Sequence, residues 1–312
     1  MPKSSNQHSA DDRVAASLAY LSSLEHQARG FSFLPRQPAQ SILAGRHASR
    51  LRGRGLSFEE IRHYRPGDDI RSMDWKVTNR TRKPHVRVYT EERERQVHLI
   101  VDQRTHMFFG SERAMKSVAA AELAALAAWR VLAAGDRLGA TVFNDEKCFR
   151  FAAQNSRATV LRLLSRLAAC NADLTAANSS CSEQLPLAID TALRTVSHDA
   201  LILLISDADG WETACETLVG RARRHNDVVM LHVRDRGELN LPARDDLVVS
   251  DGSLQIAVNT RRSALQESFK RSQLDRHAKL DESLRRLGVP LLAIDACEPT
   301  LEQVIRALGG RQ

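Results

Sequence analysis

Two stretches of the chain are apolar almost without a break, and each ends on an aspartate. They read Val97-His98-Leu99-Ile100-Val101-Asp102 and Ala200-Leu201-Ile202-Leu203-Leu204-Ile205-Ser206-Asp207. Runs of this kind predict central strands of a parallel sheet, covered on both faces. A carboxylate at the carboxyl end of such a strand borders the crevice where open α/β sheets bind ligands. If the two strands are neighbours, both carboxylates face one site.

The pattern around these runs alternates. After strand 97–102 comes a helix near 113–134, a strand over 137–143 and a short strand over 147–151. Helices near 157–170 and 186–196 lead to strand 200–207. A helix near 212–225 and a strand over 228–234 follow. A hairpin over 247–258 turns at Asp251-Gly252. A long polar helix over 261–287 is stopped by Gly288, and a strand (290–295) and a helix (299–308) close the chain. The alternation predicts an α/β fold: a doubly wound, mostly parallel sheet with right-handed crossovers.

The first hundred residues read differently. Residues 1–10 are polar, and Val14, Leu18, Leu21 and Leu24 lie at helical spacing as one apolar stripe. Pro35, Pro38 and Gly45 mark a connector. Residues 46–95 are dense in arginine, broken by glycine and proline, and carry short strand-like pieces such as His85 to Tyr89. Three parts result: a tail, amphipathic helix and connector (1–40), an arginine-rich β-rich addition (41–95), and the α/β domain (96–312).

Composition changes this picture little. Of 312 residues, 43% are hydrophobic and 27% charged, as in ordinary globular proteins. Aromatics at 5% argue against base stacking as the main activity. The net charge of +7 permits an acidic partner without choosing between nucleic acid and protein. The five cysteines, Cys148, Cys170, Cys181, Cys215 and Cys297, are odd in number and never at Cys-x-x-Cys spacing. That favours reduced thiols filling the core, and a cytoplasmic setting. The alanine-rich stretch around Ala119 to Ala134 carries Glu122 and Arg130, so it reads as a core helix and not a membrane span.

The segment Gly53 to Trp75, with Arg62-His63-Tyr64-Arg65-Pro66-Gly67-Asp68-Asp69 at its centre, resembles a bacterial family called domain of unknown function 58. Arg87-Val88-Tyr89, Glu91 to Glu94 and Met107-Phe108-Phe109-Gly110 carry the same resemblance. It implies a von Willebrand factor A-like domain preceded by a small β-rich addition. It also implies association with a MoxR-type AAA+ ATPase, in an adaptor or co-chaperone role toward a client protein.

Domains of that type often hold a divalent cation through Asp-x-Ser-x-Ser after the first strand, with a threonine and an aspartate from later loops. Hard oxygen ligands suit Mg²⁺. Here the motif reads Asp102-Gln103-Arg104-Thr105-His106. The resemblance matches Asp207 to the later aspartate, in Ser206-Asp207-Ala208-Asp209-Gly210, and offers Thr175 as the threonine. An arginine cannot ligate a cation. Two readings stay open: Arg104 takes the cation's place, pairing with both Asp102 and Asp207, or it points to solvent beside a dead site. Either way no resident cofactor is expected, with Mg²⁺ disfavoured and held by Asp102 and Asp207 if it binds.

The sequence lacks a Gly-x-x-x-x-Gly-Lys-Ser/Thr loop, a His-Glu-x-x-His helix and a Gly-x-Ser-x-Gly elbow. The leading expectation is therefore a non-catalytic interaction module, touching its partner through Asp102, Arg104, His106, Thr175, Asp207 and Asp209. One alternative is a metal-dependent nuclease or phosphatase using Asp102 and Asp207. Arg46, Arg50, Arg52 and Arg54, where basic charge is least balanced by acids, are the candidate contacts for an acidic partner (a protein surface, RNA or a phosphate), and a nucleic-acid-binding protein using this 46–54 stretch is the other alternative. The interleaved signs elsewhere in 46–95 disfavour it and suit internal ion pairs, with Glu59, Arg62, Asp68, Asp69 and Arg71 read as structural.

Overall fold

A computed structural model describes residues 11–30, 56–65, 68–91, 94–175, 179–239, 247–250, 255–258, 260 and 263–307. Arg46, Arg50, Arg52 and Arg54 lie outside the described residues. The chain divides into two compact units, one of residues 1–44 with 95–312, the other of residues 45–94.

In chain order the elements are α1 (Leu18–Ser23), β1 (Leu56–His63), α2 (Trp75–Thr81), β2 (His85–Glu91), β3 (Gln96–Asp102), α3 (Lys116–Ala133), β4 (Arg137–Phe143) and β5 (Cys148–Gln154). Then come α4 (Arg157–Ala172), α5 (Gln184–Leu193), β6 (Leu201–Ser206), α6 (Thr213–Ala222), β7 (Asp227–Arg234), β8 (Leu247–Ser250), β9 (Gln255–Val258), α7 (Ser263–Leu287), β10 (Leu291–Asp295) and α8 (Thr300–Ala307). Among the described residues no helix is long and apolar enough to cross a membrane.

The large unit is built on one sheet of order β10-β7-β6-β3-β4-β5. All neighbours pair in parallel except β4 and β5, which are antiparallel. The chain winds outward from β3 through β4 to β5, then returns to the other side of β3 and winds outward again through β6, β7 and β10. The order reverses between β3 and β6. Ligand crevices of open α/β sheets form at this point.

Both faces of the sheet are covered, which explains the unbroken apolar runs. Val97, Leu99 and Val101 of β3 pack with Leu203 and Ile205 of β6 into a core shared with α1, α3, α4 and α8. Ile100, Ile202 and Leu204 point the other way, into a second core with residues of α5, α6 and α7. The alternation of side chains along each strand sorts them between the two layers. Helix α3 lies almost wholly inside the protein, and its alanines let it sit close on the sheet.

Two expectations are corrected. The N-terminal segment is not one continuous amphipathic helix. A 3₁₀ turn (Asp11–Arg13) precedes α1, which begins only after Ser17 accepts a hydrogen bond from the Tyr20 backbone N–H. Leu21 and Leu24 are buried, but Val14 and Leu18 are exposed: Val14 lies before the helix, and Leu18 is its first residue. The sequence also missed α2 in the small unit. Val77, Thr78, Asn79 and Thr81 are weak helix formers, and the helix depends on Asp74, whose carboxylate accepts from the Lys76 and Val77 backbone N–H groups at 3.0 Å.

In that unit β1 and β2 pair antiparallel, with a bulge between Phe58 and Glu60. Arg62 grips Asp68 with two parallel bonds of 2.8 Å, and Asp68 also accepts from the Arg65 backbone at 2.7 Å. The carboxylate thus closes the turn after β1.

Candidate functional site

Parallel register aligns Val101 with Ile205, so Asp102 and Ser206 emerge side by side where the strand order reverses. Asp102 is fully buried. Its Oδ1 accepts from the backbone N–H and the Nε of Arg104, both at 3.0 Å. Its Oδ2 accepts from Arg104 Nη2 and Ser206 Oγ, both at 2.7 Å. The same guanidinium reaches two further loops. Nη1 donates to the carbonyls of Cys181 (3.1 Å) and Ser182 (3.5 Å), and Nη2 to the carbonyl of Asp209 (3.0 Å). All five N–H groups of the fork are thereby engaged. The ring of Phe143 lies under the guanidinium, 5.3 Å to its centroid.

Arg104 itself is 0% exposed. That decides between the two readings of this residue: it points inward. It does not pair with both carboxylates, however. Asp207 has its own cations. Lys116 Nζ donates to Asp207 Oδ2 at 2.6 Å and His106 Nδ1 donates to the same oxygen at 2.8 Å. Lys116 also pairs with Glu238. The expected arrangement of one guanidinium between two aspartates is corrected to two separate pairs, because the Arg104 fork is spent on Asp102 and three carbonyls.

Charge accounts for the protonation states. Burial works against the charged forms of Arg104 and Lys116, but Asp102 on one and Asp207 with Glu238 on the other outweigh it, and both pKa values rise. Burial alone would push Asp207 up; Lys116 and His106 instead hold it well below the usual carboxylate range. His106 is lowered by burial and raised more by Asp207, so it sits above its ordinary value. Among the described residues its Nε2 has no hydrogen-bond partner, and it lies 3.7 Å from Asp209 Oδ2.

The loops are fastened once more by Asp145, in the turn between β4 and β5. Its Oδ2 accepts from the backbone N–H and hydroxyl of Thr105, both at 2.7 Å, and its Oδ1 from the Cys181 backbone at 2.8 Å. After β6 the chain turns sharply. Ala208 takes φ +60° and Gly210 φ +78°. A Cβ on Gly210 would lie 2.7 Å from the Ser182 carbonyl oxygen, so only glycine fits there.

Asp102, Arg104, His106, Asp207 and Asp209 therefore meet in one place, as their positions after β3 and β6 implied. Thr175 lies exposed past α4, and the carbonyls of Cys181 and Ser182, not its hydroxyl, meet Arg104. Asp102 and Arg104 are too deep to touch a partner. The rim is formed by His106, by Asp209 and by Arg276 of α7, which bonds Asp209 at 3.3 Å. Sequence reading missed Lys116, Ser206, Asp145 and Glu238. Lys116 did leave a signal: a lysine in the first turn of a helix opposes the macrodipole and needs another reason to be there.

Asp102, His106 and Asp207 do bring potential ligand atoms within 4.8 Å of one another. The donor set still does not fit a divalent ion. Both oxygens of Asp102 and both of Asp207 already accept hydrogen bonds, three of them from the two buried cations and His106. A metal here would have to displace a guanidinium or lie against an ammonium.

Residues 60–279 match the family model described as protein of unknown function DUF58. The chain belongs to this family. The uncharacterized protein Rv1480 of Mycobacterium tuberculosis is 30% identical over 281 residues, covering 89% of this chain and 86% of that protein. The uncharacterized protein Mb1516 of Mycobacterium bovis matches equally. Among solved structures, a conserved hypothetical protein BatB from Bacteroides thetaiotaomicron aligns with a TM-score of 0.42 at 13% identity, covering 69% of this chain and 99% of that one. The VWA domain of SpRpn10 aligns with a TM-score of 0.34 at 10% identity, covering 68% and 94%.

Proposed function

We propose that this DUF58 protein is a non-catalytic protein-interaction module that serves as adaptor to a MoxR-type AAA+ ATPase and meets its partner at the carboxyl edge of the sheet. The ATPase assignment rests on the family resemblance alone. The observation that carries the non-catalytic reading is the state of the two strand-end aspartates. Every carboxylate oxygen of Asp102 and Asp207 accepts from the chain itself. A metal-dependent hydrolase needs those oxygens for its ion and a water beside it. Here they hold loops together, which suits a preformed binding face.

The partner-facing groups are His106, Asp209 and Arg276 on the rim, with Phe109 exposed nearby in sequence. Asp102, Arg104 and Lys116 act beneath them as positioning residues. The test is co-purification from native extract with an ATP analogue present. The expected result is a AAA+ ATPase recovered with the natural chain and lost with Asp209→Lys. Recovery of no such ATPase in either nucleotide state refutes the partner. Calorimetry with Mg²⁺ and Mn²⁺ tests the site: stoichiometric binding abolished by Asp102→Ala refutes the metal-free reading, as does phosphatase or nuclease activity lost in Asp102→Asn.

A further inference from the structure

The small unit carries an outward patch that its own fold does not use. The stretch from Ile70 to Lys83 holds Arg71, Lys76, Arg80, Arg82 and Lys83, all exposed. None of the five has an ion pair among the described residues. The one acidic residue in this stretch, Asp74, is 5% exposed and turned inward to cap α2. The two aspartates just before it are also engaged: Asp68 accepts from the Arg62 side chain and the Arg65 backbone, and Asp69 accepts from the Arg71 N–H. The negative charges serve the turn, and the positive charges are left facing water.

Two large apolar side chains accompany them. Trp75 is 61% exposed and Ile70 62% exposed. Trp75, at the first position of α2, shares a helical stripe with Asn79, and Lys76 and Arg80 fall on the adjoining one, while Arg82 (φ 53°) and Lys83 follow just past the helix end. A lone exposed isoleucine is unremarkable, but an exposed tryptophan in a short segment that also carries five exposed cations is a combination that solvent alone does not favour.

We infer that Trp75, Ile70 and the unpaired cations of the Ile70–Lys83 segment form a docking surface for an acidic protein segment carrying an apolar anchor residue. Charge complementarity selects the acid, and Trp75 selects the anchor. Tryptophan and arginine are the residue types that dominate protein-interface energetics. A membrane fits less well, because α2 is only seven residues long and presents no extended apolar face. A nucleic acid fits less well, because one aromatic ring makes no stacking platform. This surface belongs to the small unit and is independent of the carboxyl-edge reading.

The test uses the full chain and a phage-displayed random library of peptides about a dozen residues long. Selected peptides are measured against the natural chain, Trp75→Ala, and the pair Lys76→Glu with Arg80→Glu. All three positions are exposed, so thermal melting should match the natural chain. Selection is expected to enrich acidic peptides with an aromatic or aliphatic residue, and each variant should weaken them by about 30-fold or more. Labelled single-stranded RNA and phosphatidylserine vesicles are expected to show no saturable binding that these variants abolish. The inference is overturned if selected peptides lack acidic bias, if both variants keep full affinity, or if RNA or vesicles bind tighter and lose binding in the same variants.

Discussion

Replacing Arg104 with alanine probes the centre of the large unit most directly. The change removes five side-chain bonds, to both Asp102 oxygens and to the carbonyls of Cys181, Ser182 and Asp209. It leaves Asp102 buried with only the Ser206 hydroxyl and a backbone N–H for company. Removing one member of a buried ion pair typically costs about 3–5 kcal/mol, mostly the cost of the orphaned charge. For a domain of this size that corresponds to a fall in Tm of roughly 6–20 °C. Urea unfolding followed by circular dichroism measures it, provided the slope m is unchanged. Arg104→Met combined with Asp102→Asn removes the orphaned charge, so the two changes together should cost less than the sum, with a coupling of about 1–3 kcal/mol. A loss below about 1 kcal/mol for Arg104→Ala would place this pair with ordinary surface ion pairs and refute the reasoning.

Four further outcomes follow from the same geometry. Lys116→Met takes a positive charge from Asp207, so the His106 pKa should rise further above its ordinary value, read by NMR titration of the ring; a fall contradicts the assigned pairing. Burial pushes His98 and His232 down to about 4, so both fold neutral, and their stabilisation is present above the unfolded value and lost as pH falls through the folded one. Between pH 8 and 5 each should cost about 2 kcal/mol, and His98→Gln should flatten that acid limb by about that amount in urea titrations. His106 has the opposite sign: its contribution is full below the ordinary histidine value and fades as pH rises through its raised one, so His106→Gln should steepen the loss of stability toward acid. Gly210→Ala, at φ +78° and against the Ser182 carbonyl, should destabilise by at least about 1 kcal/mol, whereas Ala208→Gly, which relieves a φ of +60°, should be within about 1 kcal/mol of neutral by thermal melting.

The central strands were legible because they are buried on two faces and read as short unbroken apolar runs, while helices such as α5 and α6 bury one stripe and show a longer period. Strand 97–102, seen as β3 (Gln96–Asp102), and strand 200–207, seen as β6 (Leu201–Ser206), show it. Elements set by a single polar contact were not legible. α2 depends on the Asp74 cap, and α1 starts late because of Ser17. The site divides the same way. Asp102, Arg104 and Asp207 sit at strand ends, where topology brings them together. Lys116 reaches Asp207 across 91 positions of sequence, Asp145 reaches Cys181 across 36, and no local pattern encodes either distance. Arg104 meets Asp102 as its place two residues on allows, but its remaining contacts are carbonyls and not Asp207, because a side chain's direction depends on carbonyls that only the folded loops supply.

A guanidinium encoded in the gene differs from a bound ion in one practical way: it cannot be withdrawn. Chelators, competing metals and a cell short of magnesium all leave Arg104 where it is. The ties from Arg104 to Asp102 and to the carbonyls of Cys181 and Asp209 form as soon as the polypeptide folds.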